Sequence, residues 1–362
     1  MCEKLWRIEK MNDWKMEPGL RYGLGTEVER LLKENLPTRI GIITDKTVGA
    51  LYLSEVVQVL ESQGFSTWSY ELIPGDSSKN MEELQHVLCE MASHGLNRHD
   101  LLVALGGGVP GDLTGFAASI YMRGMSYIQV PTTLLAAIDS SIGGKTGVNL
   151  DCGKNMAGSF WDPLATLVDP EMLRSLSPVV YRDGLAEGVK YGVIGDTECW
   201  NLMKQMIPYP GFPPKDVPIE LEKAFILRCV QLKYEIVSQD HQDLGRRMLL
   251  NFGHTVGHAI EKWKNYQISH GEAVAMGMVM EAKAAFQMGW CKEDFSVPIG
   301  NILGELGFSW EEEISGEVLV PFMATDKKHQ GRHITLVVPE TLGQCQLRKV
   351  SQEEMMEFCR SW

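Results

Sequence analysis

The sequence predicts an α/β fold in which a doubly wound, Rossmann-like parallel sheet is followed by a domain made mainly of α-helices. Three observations support this prediction: short β-branched runs alternate with amphipathic stretches in the first half, a glycine-rich turn joins one such run to a helix, and helical periodicity dominates after residue 177. A chain of 362 residues is also too long for one compact core. We therefore place two domains, at 1–177 and 178–362.

The predicted strands of the first domain follow one another with helical sequence between them. RIGIITD (39–45) is predicted to be a buried strand, and LYLSEVVQVLESQG (51–64) a helix that ends at a glycine. DLLVALGGG (100–108) and MSYIQVPTT (125–133) are two further strands, and Pro131 ends the second. This alternation predicts a parallel sheet that binds its ligands at the carboxyl ends of its strands.

The second domain begins with a helix start signal. Ser177 is a good N-cap, and Pro178 suits the first helical turn. Helical patterns then cover 178–193, 219–240, 252–265, 270–289 and 296–306. The proline-rich stretch 207–214 is predicted to be a loop within this domain, and HITLVVP (333–339) a late strand on the sheet or at a small edge.

Charge and composition exclude several classes of partner. A net charge of −13 argues against nonspecific binding to nucleic acid or to anionic membranes. No apolar run approaches the roughly 18 residues of a membrane span, and the charged N-terminus has no apolar segment typical of a signal peptide. The eight cysteines are scattered without a C-x-x-C pair, as suits a reducing compartment. We expect a cytoplasmic protein with neither nucleic-acid nor membrane partners.

The stretch LLVALGGGVPGDLTGF is predicted to run from strand through turn to helix. It fits the pattern G-x-G-x-x-G with Gly106, Gly108 and Gly111. Exposed backbone amides at such a turn can approach a pyrophosphate, although a tight turn in any α/β protein fits the pattern equally well. A dinucleotide fold also needs an acid for the ribose, and none occurs between Asp112 and Asp139. Asp45, at the end of the first predicted strand, is the alternative acid. It precedes the glycine turn, which is not the order of a standard Rossmann fold.

Lysines on glycine-rich sequence form a second candidate site. SSIGGKTGVNLDCGKNMAG (140–158) carries Lys145 and the pair Lys154–Asn155 on sequence predicted to form loops. Glycine beside lysine lets a chain fold around a phosphate. Taken alone, each lysine is more simply explained as an ordinary solvated side chain. A cluster of them in an acidic protein favours an anionic substrate.

Other basic residues are individually ordinary candidates for the same substrate: Arg123, Lys190, Lys233, Arg247 and Lys327. For Lys190, an exposed ion pair with Glu187, three residues earlier, explains the residue equally well.

The segment NFGHTVGHAIEKWKNYQISHGEAVAMGM (251–278) holds three of the nine histidines. His254 and His258 are four apart and therefore share one helix face, so spacing alone pairs them as metal ligands. A zinc peptidase would have Glu where this chain has Thr255, which disfavours a metallohydrolase. Before His270, the sequence Ser-x-x-Glu from Ser269 is a capping box that predicts a helix start.

Together these motifs resemble the 3-dehydroquinate synthase family of the sugar phosphate cyclases. The matching stretches occur in family order from about Asp45 to Lys328: GGGVPGDLTGF, YMRG, VPTTLLAAIDSSIGGKTGVN, GKN, AEGVK, LLNFGHTVGHAIE, SHGEAVAMGM and DKK. The resemblance implies a homodimeric enzyme with an N-terminal NAD-binding α/β domain and a C-terminal α-helical metal-binding domain.

The resemblance also implies roles for individual residues. Zn²⁺ or Co²⁺ would be bound by Glu187, His254 and His270. NAD would contact Asp45, Asp76, Lys79, Gly107, Gly108, Asp112, Thr132, Thr133, Leu135, Asp139, Lys154 and Ser175. A sugar phosphate substrate would be held by Arg123 of a neighbouring subunit and by Lys145, Asn155, Lys190, Lys233, Arg247, Asn251 and Lys327. The implied catalytic residues are Lys145, Lys190, His258, Asn251 and Asp139. Asp76 and Ser175 stand where the family more often has Glu and Thr.

The implied reaction converts 3-deoxy-D-arabino-heptulosonate 7-phosphate into 3-dehydroquinate and phosphate, a step of the shikimate pathway to aromatic amino acids. In this reaction NAD takes hydride from C5, phosphate leaves C7 by β-elimination, hydride returns, and an internal aldol reaction closes the ring. His258 is implied to move protons through the substrate hydroxyls.

Four alternatives are open at this point. A cyclase resembling 2-deoxy-scyllo-inosose synthase takes glucose 6-phosphate, which has no carboxylate for Arg247 and Asn251 to bind. One resembling amino-dehydroquinate synthase would keep nearly the same pocket. A metal-dependent NAD alcohol or glycerol dehydrogenase would not need Lys145, Lys154 and Lys327. An inactive NAD-binding scaffold predicts a broken ligand set, whereas all three matched ligands are present.

Overall fold

The structure is a computed structural model, which describes residues 13–33, 35–207, 217–310, 314–323 and 333–362. The chain divides into two compact units, Met1–Ser175 and Leu176–Trp362. Lys327, the first twelve residues and all but the first residue of the proline-rich stretch 207–214 lie outside the described residues.

The first unit is built on a six-stranded sheet in which every pair of neighbours is parallel. Its strands are β1 (Asp13–Met16), β2 (Arg39–Asp45), β3 (Ser66–Leu72), β4 (Leu101–Gly106), β5 (Ser126–Pro131) and β8 (Ala165–Val168). Their order in the sheet is β1-β8-β5-β4-β2-β3. The predicted parallel sheet is confirmed, including the three strands read from sequence. The two short strands β1 and β8, and β3, were not predicted.

Helices cover both faces of this sheet. They are α1 (Leu24–Leu32), α2 (Lys46–Val48), α3 (Ser54–Ser62), α4 (Met81–Ser93) and α5 (Gly108–Ile120). A π-helical segment, Gly49–Leu53, joins α2 to α3, so the helix predicted over 51–64 is present. On β4, Leu101, Val103 and Leu105 pack with α1 and α3, whereas Leu102 and Ala104 pack with α4 and α5. The sheet is therefore doubly wound, and its strands are buried on both sides.

The glycine-rich stretch 140–158, predicted to form loops, instead contains an antiparallel hairpin of β6 (Lys145–Leu150) and β7 (Gly153–Phe160). Thr146, Gly147 and Val148 of β6 are buried, and Val148 packs with the α4 and α5 core. A Cβ atom on Gly158 would lie 2.1 Å from the backbone oxygen of Thr146. Here glycine serves a close approach of two strands, not a loop.

The second unit is mainly helical, and the five helices predicted for it are confirmed. Its helices are α6 (Pro178–Ile194), α7 (Thr197–Met206), α8 (Ile219–Gln239), α9 (His254–Trp263), α10 (His270–Gln287), α11 (Ser296–Glu305), α12 (Gly316–Met323) and α13 (Gln352–Cys359). The side chain of Ser177 accepts a hydrogen bond from Val180 N, as expected of the N-cap of α6.

A second hairpin completes this unit. The late strand, β9 (His333–Thr341), pairs antiparallel with β10 (Gln344–Ser351) in a separate two-stranded sheet and does not join the parallel sheet. Among the described residues, no helix combines the length and apolar character that would let it cross a membrane.

Candidate metal centre and dinucleotide site

The three side chains predicted to bind a metal come together in the second unit. Glu187 is buried in the middle of α6, while His254 and His270 are the first residues of α9 and α10. The Oε1 atom of Glu187 lies 3.2 Å from Nε2 of His254 and 3.3 Å from Nε2 of His270. The ligand atoms of all three lie within 4.8 Å of one another.

These spacings fit a tetrahedral metal ion. Two ligand atoms that are each about 2.1 Å from a zinc ion lie roughly 3.4 Å apart, close to the separations that Glu187 makes with both imidazoles. One carboxylate and two imidazoles leave a fourth position open, as in catalytic zinc sites. Co²⁺ accepts the same ligands. The residues present therefore fit the metal that the sequence predicts.

Close packing of α9 on α10 helps to bring the two histidines together. A Cβ atom on Gly277 would lie 2.1 Å from the backbone oxygen of Gly253 and 2.8 Å from the backbone nitrogen of Gly257. Gly253 is the N-cap of α9 and has a φ of 76°, which favours glycine. The two helices thus meet backbone to backbone, and the ring centroids of His254 and His270 are 5.5 Å apart.

A second contact holds the start of α10 against α6. Ser269 Oγ accepts a hydrogen bond from Glu272 N at 3.2 Å, which is the N-cap half of the predicted capping box. The same hydroxyl donates to Asp183 Oδ1 at 2.6 Å, and Gly271 N donates to that oxygen at 3.1 Å. Asp183 lies one turn before Glu187 on α6, so this helix carries one predicted ligand and anchors the helix that carries another. Sequence reasoning missed Asp183.

Each ligand imidazole also has a partner for its other nitrogen. His254 Nδ1 lies 3.0 Å from the carbonyl oxygen of Phe252, and His270 Nδ1 lies 3.6 Å from Oε1 of Glu261. The contact with Phe252 requires the proton of His254 on Nδ1, which leaves the lone pair of Nε2 directed toward Glu187. Glu261, which ends the matched LLNFGHTVGHAIE stretch, was not predicted as a site residue.

Charges around Glu187 are buried and opposed. Its Oε2 atom forms an ion pair with Lys190, and both side chains are 1% exposed. The ion pair that the sequence suggested between Lys190 and Glu187 is therefore present. The expectation that it is exposed is wrong, because α6 is buried on this side. Burial opposes ionisation of Glu187, yet Lys190 and His254 hold the pKa of its carboxyl well below the ordinary value.

The two ligand histidines titrate in opposite directions. Burial lowers the pKa of His254. Burial also acts to lower the pKa of His270, but the neighbouring carboxylates of Glu187 and Glu261 outweigh it and raise this pKa to about 10. In the metal-free site at neutral pH, His254 is therefore neutral and His270 carries a proton.

His258 lies beside these ligands. Its ring centroid is 5.4 Å from that of His254 and 6.2 Å from that of His270, so the predicted shared face of His254 and His258 is real. His258 also belongs to a second set of potential ligands, with Glu261 and His270. Both sets use His270, and in the first set two imidazole Nε2 atoms lie 3.2 and 3.3 Å from one carboxylate oxygen.

The remaining predicted residues of this unit that the structure describes lie on α8 and on the segment before α9. Lys233 is buried in α8, and Arg247 and Asn251 lie in the 3-10 segment Arg246–Asn251. Arg247 is 1% exposed, and its Nη1 donates to the carbonyl oxygen of His241 at 2.5 Å. Two buried cations in an acidic chain are the type of group that would receive an anionic ligand.

In the first unit, the sheet brings the predicted dinucleotide residues to one edge. Asp45 ends β2, Gly107 and Gly108 follow β4, and Thr132 and Thr133 follow β5. After β3 the chain returns across β2 to form β4, so the topological switch point lies between β2 and β4. Open α/β sheets bind ligands at this point, outside the carboxyl ends of the strands.

Two side chains at this edge have informative hydrogen bonds. Asp45 Oδ1 accepts from the backbone nitrogens of Thr47 and Val48, at 2.8 and 3.0 Å, and so caps α2. Thr132 is 2% exposed, and among the described residues its hydroxyl has no hydrogen-bond partner. A buried orphan hydroxyl is costly unless a ligand satisfies it, so Thr132 fits a bound dinucleotide.

Five predicted residues join in two polar groups near the hairpin. Lys79 Nζ donates to Asp112 Oδ2 and to Asn155 Oδ1, both at 2.5 Å. Asp76 Oδ2 lies 3.3 Å from Lys154 Nζ. Asn149, which was not predicted, connects the groups, because its Nδ2 donates to Asp76 and its Oδ1 accepts from Asn155 N.

The other predicted residues of this unit lie on several turns, strands and segments. Arg123 lies at an exposed turn with a φ of 69°, and Lys145 is exposed at the start of β6. Leu135 and Asp139 lie on the segment after β5, which becomes π-helical at Ala136–Ser140. Ser175 is engaged locally: its hydroxyl accepts from Tyr52 OH at 2.8 Å and donates to the carbonyl oxygen of Met172 at 3.0 Å.

Two family models match consecutive parts of the chain. The model described as 3-dehydroquinate synthase N-terminal matches residues 69–183, and the one described as 3-dehydroquinate synthase C-terminal matches residues 184–329. A 3-dehydroquinate synthase from Clostridium kluyveri is 39% identical over 342 residues, covering 94% of each chain.

Two solved structures share the fold. A 2-deoxy-scyllo-inosose synthase complexed with carbaglucose-6-phosphate, NAD⁺ and Co²⁺ is 23% identical, with a TM-score of 0.83 over 97% of each chain. A 2-epi-5-epi-valiolone synthase from Streptomyces hygroscopicus, with NAD⁺ and Zn²⁺ bound, is 26% identical, with a TM-score of 0.83 over 98% of each chain. Because both family models match in order and the identity to the Clostridium enzyme extends along nearly the whole sequence, this chain belongs to the 3-dehydroquinate synthase family.

Proposed function

We propose that this chain is a 3-dehydroquinate synthase, which converts 3-deoxy-D-arabino-heptulosonate 7-phosphate into 3-dehydroquinate and phosphate in the shikimate pathway. The observation that carries the proposal is that buried Glu187 lies against the half-buried His254 and His270, in a chain that is 39% identical to a 3-dehydroquinate synthase along 94% of its length. The alternative activity, that of a 2-deoxy-scyllo-inosose synthase, is supported by likeness of fold alone, since that structure is 23% identical to this chain.

We propose NAD and a divalent metal, Zn²⁺ or Co²⁺, as cofactors. Residues 1–177 would form the NAD-binding domain, and 178–362 the metal- and substrate-binding domain. Glu187, His254 and His270 would bind the metal. When bound, NAD supplies reversible hydride acceptance at C5 of the substrate, and the metal supplies Lewis-acid polarisation of the hydroxyl there.

The residues of the chain itself would hold the substrate and move its protons. Buried Arg247 and Lys233 would receive the carboxylate, and Arg123, Lys145, Asn155 and Lys327 the phosphate. Asn251, Asp139 and Lys190 would orient the hydroxyls. His258, close to both ligand histidines, would carry protons to and from those hydroxyls, because an imidazole titrates near neutral pH.

Phosphate release tests the proposal. It would be measured from the heptulosonate phosphate and from glucose 6-phosphate, with and without NAD, and before and after chelation. We expect release from the heptulosonate phosphate alone, dependent on NAD and metal, without net NADH. Release from glucose 6-phosphate alone would refute the proposal, and accumulation of NADH would favour a dehydrogenase. An amino-substituted substrate is tested in parallel, because phosphate release from it would favour an amino-dehydroquinate synthase.

Replacing Arg247 by alanine is expected to raise the KM for the heptulosonate phosphate at least about 30-fold, because losing one partner of a buried charge pair costs roughly 2 kcal/mol or more. Steady-state kinetics would measure this, with thermal unfolding as a check on folding. Arg246→Ala is the matched control, since the neighbouring Arg246 is exposed and its Nη1 bonds to Gln239. Unchanged kinetics in Arg247→Ala would remove this residue from the substrate site.

Thr132→Val is expected to weaken NAD binding about threefold to tenfold, the worth of one hydrogen bond, without lowering the stability of the NAD-free chain. The hydroxyl that it removes is buried and has no partner among the described residues. Thr114→Val is the matched control, because Thr114 is also buried with an orphan hydroxyl and has no proposed role. Titration of NAD into each variant measures the effect. Equal dissociation constants for Thr132→Val and the wild type would contradict the assignment.

Metal uptake is expected to release protons. Because the pKa of His270 is raised to about 10 in the metal-free site, a metal must displace that proton, and the apparent affinity for Co²⁺ should rise up to about tenfold per pH unit below pH 10. The same raised pKa stabilises the metal-free chain below about pH 6.5, and this contribution to stability is lost as the pH rises through about 10.

Chelator competition at several pH values measures how the affinity for Co²⁺ depends on pH. An affinity independent of pH between 7 and 9 would contradict it.

We also propose a cytoplasmic homodimer in which Arg123 reaches the substrate of the neighbouring subunit. The support is that Arg123 is exposed and lies beside two exposed apolar side chains, Ile120 and Met122, which a subunit interface would cover. The molecular mass in solution tests the dimer, and a monomeric active enzyme would exclude it.

A further inference from the structure

Glu281 is a buried carboxylate that no role above explains. It lies on α10, about three turns after His270, and is 1% exposed. Its Oε2 atom accepts a hydrogen bond from Gly253 N at 2.8 Å, and its Oε1 atom accepts one from Val256 N at 3.1 Å. Both bonds reach across to the first turn of α9, the helix that begins with His254.

The first turn of α9 needs an acceptor from elsewhere. The leading amides of a helix have no partners within it, and an N-cap side chain usually supplies one. Here the N-cap is Gly253, which has no side chain. Glu281 supplies both the acceptor oxygens and a negative charge at the positive end of the helix dipole.

One of these bonds leads directly to a proposed metal ligand. The peptide group between Phe252 and Gly253 donates its N–H to Glu281, and its carbonyl oxygen lies 3.0 Å from Nδ1 of His254. Because a peptide group is planar, fixing the direction of its N–H also fixes the direction of its C=O. Hydrogen bonds at the two ends of one amide also polarise each other, which strengthens the carbonyl as an acceptor.

We infer that Glu281 is a positioning residue for His254, acting through the Phe252–Gly253 peptide. Glu281 aims the peptide, the carbonyl sets the tautomer and orientation of the imidazole, and Nε2 is thereby presented to the metal. Helix α10 thus supplies one proposed ligand, His270, and orients a second, His254. This inference rests on the metal site that we propose above.

The test is Co²⁺ binding by the full chain with Glu281→Gln and Glu281→Ala. Glutamine has the shape of glutamate but one acceptor oxygen in place of two, so one bond to α9 is lost. Partners that orient a metal ligand typically contribute 10- to 100-fold in metal affinity. By chelator competition, we expect the dissociation constant for Co²⁺ to rise about tenfold in Glu281→Gln and closer to 100-fold in Glu281→Ala. The visible absorption bands of bound Co²⁺ should shift in both variants.

Ser351→Ala is the matched control. It removes the N-cap side chain of α13 in the same unit and should lower the midpoint of thermal unfolding without changing the dissociation constant or the bands. Unchanged Co²⁺ binding and bands in Glu281→Gln would overturn the role of Glu281, as would an equal loss of affinity in Ser351→Ala. If the wild type bound no Co²⁺, or bound it without His254, the proposed metal site itself would fail, and the inference with it.

Discussion

Replacing His270 by alanine is expected to weaken the binding of Zn²⁺ or Co²⁺ on the order of 100-fold or more and to remove turnover at ordinary metal concentrations. Residues that only orient a ligand contribute 10- to 100-fold in metal affinity, and a direct ligand should contribute at least as much. His270 Nε2 lies 3.3 Å from Oε1 of Glu187, and both atoms would bind the metal. Metal content after dialysis and the dissociation constant for Co²⁺ measure this effect.

His254→Ala and His258→Ala divide the two possible ligand sets. His254→Ala should behave as His270→Ala does, whereas His258→Ala should keep the metal and lose turnover, because His258 is proposed to move protons. If His258→Ala lost the metal while His254→Ala kept it, the metal would belong to the set of His258, Glu261 and His270, and the proposed division of roles would be wrong.

Replacing Gly277 by alanine is expected to destabilise the second unit by about 3 kcal/mol or more, the upper range for overpacking, and to weaken metal binding. The added Cβ atom would lie 2.1 Å from Gly253 O and 2.8 Å from Gly257 N. Both are backbone atoms, so no side chain can turn away. The helices must move apart, and His254 moves with α9. Denaturant unfolding and Co²⁺ affinity measure the two effects.

Gly304→Ala is the control for this substitution. Gly304 also lies in a helix of the second unit, but a Cβ atom there would meet, among the described residues, only Trp310 Nε1, at 3.5 Å. Alanine is the better helix former by about 1 kcal/mol, so this variant should be at least as stable as the wild type. Equal stability of Gly277→Ala and Gly304→Ala would show that the close packing of α9 on α10 is not required.

The strands and helices that the sequence predicted are those with strong local patterns. The run 39–45 is buried on both faces, and α10 repeats apolar residues at helical spacing, so periodicity alone identifies both. Spacing alone did not identify the proposed metal ligands, since it paired His254 with His258. Glu187 reaches the histidines only through tertiary packing of α6, and the family resemblance, not the local pattern, brought it into the predicted set.

The errors and omissions also have physical causes. The stretch 140–158 was predicted to form loops because glycine usually interrupts strands, but here it lets β6 and β7 approach closely. Asp183 and Glu281 were missed because a carboxylate within a helical pattern normally faces solvent. Both instead accept backbone amides of a neighbouring helix, and no one-dimensional pattern marks that pairing.

The proton on metal-free His270 bears on how the enzyme acquires its metal. It places a positive charge against Glu187, whose other oxygen already faces Lys190, so the carboxylate is balanced before any metal arrives. Metal binding would then exchange one cation for another beside this carboxylate. A zinc finger, by contrast, is unfolded until its ion binds. We therefore expect cells short of zinc to accumulate folded but idle enzyme, so that metal supply sets the activity of a standing pool and not the survival of the protein.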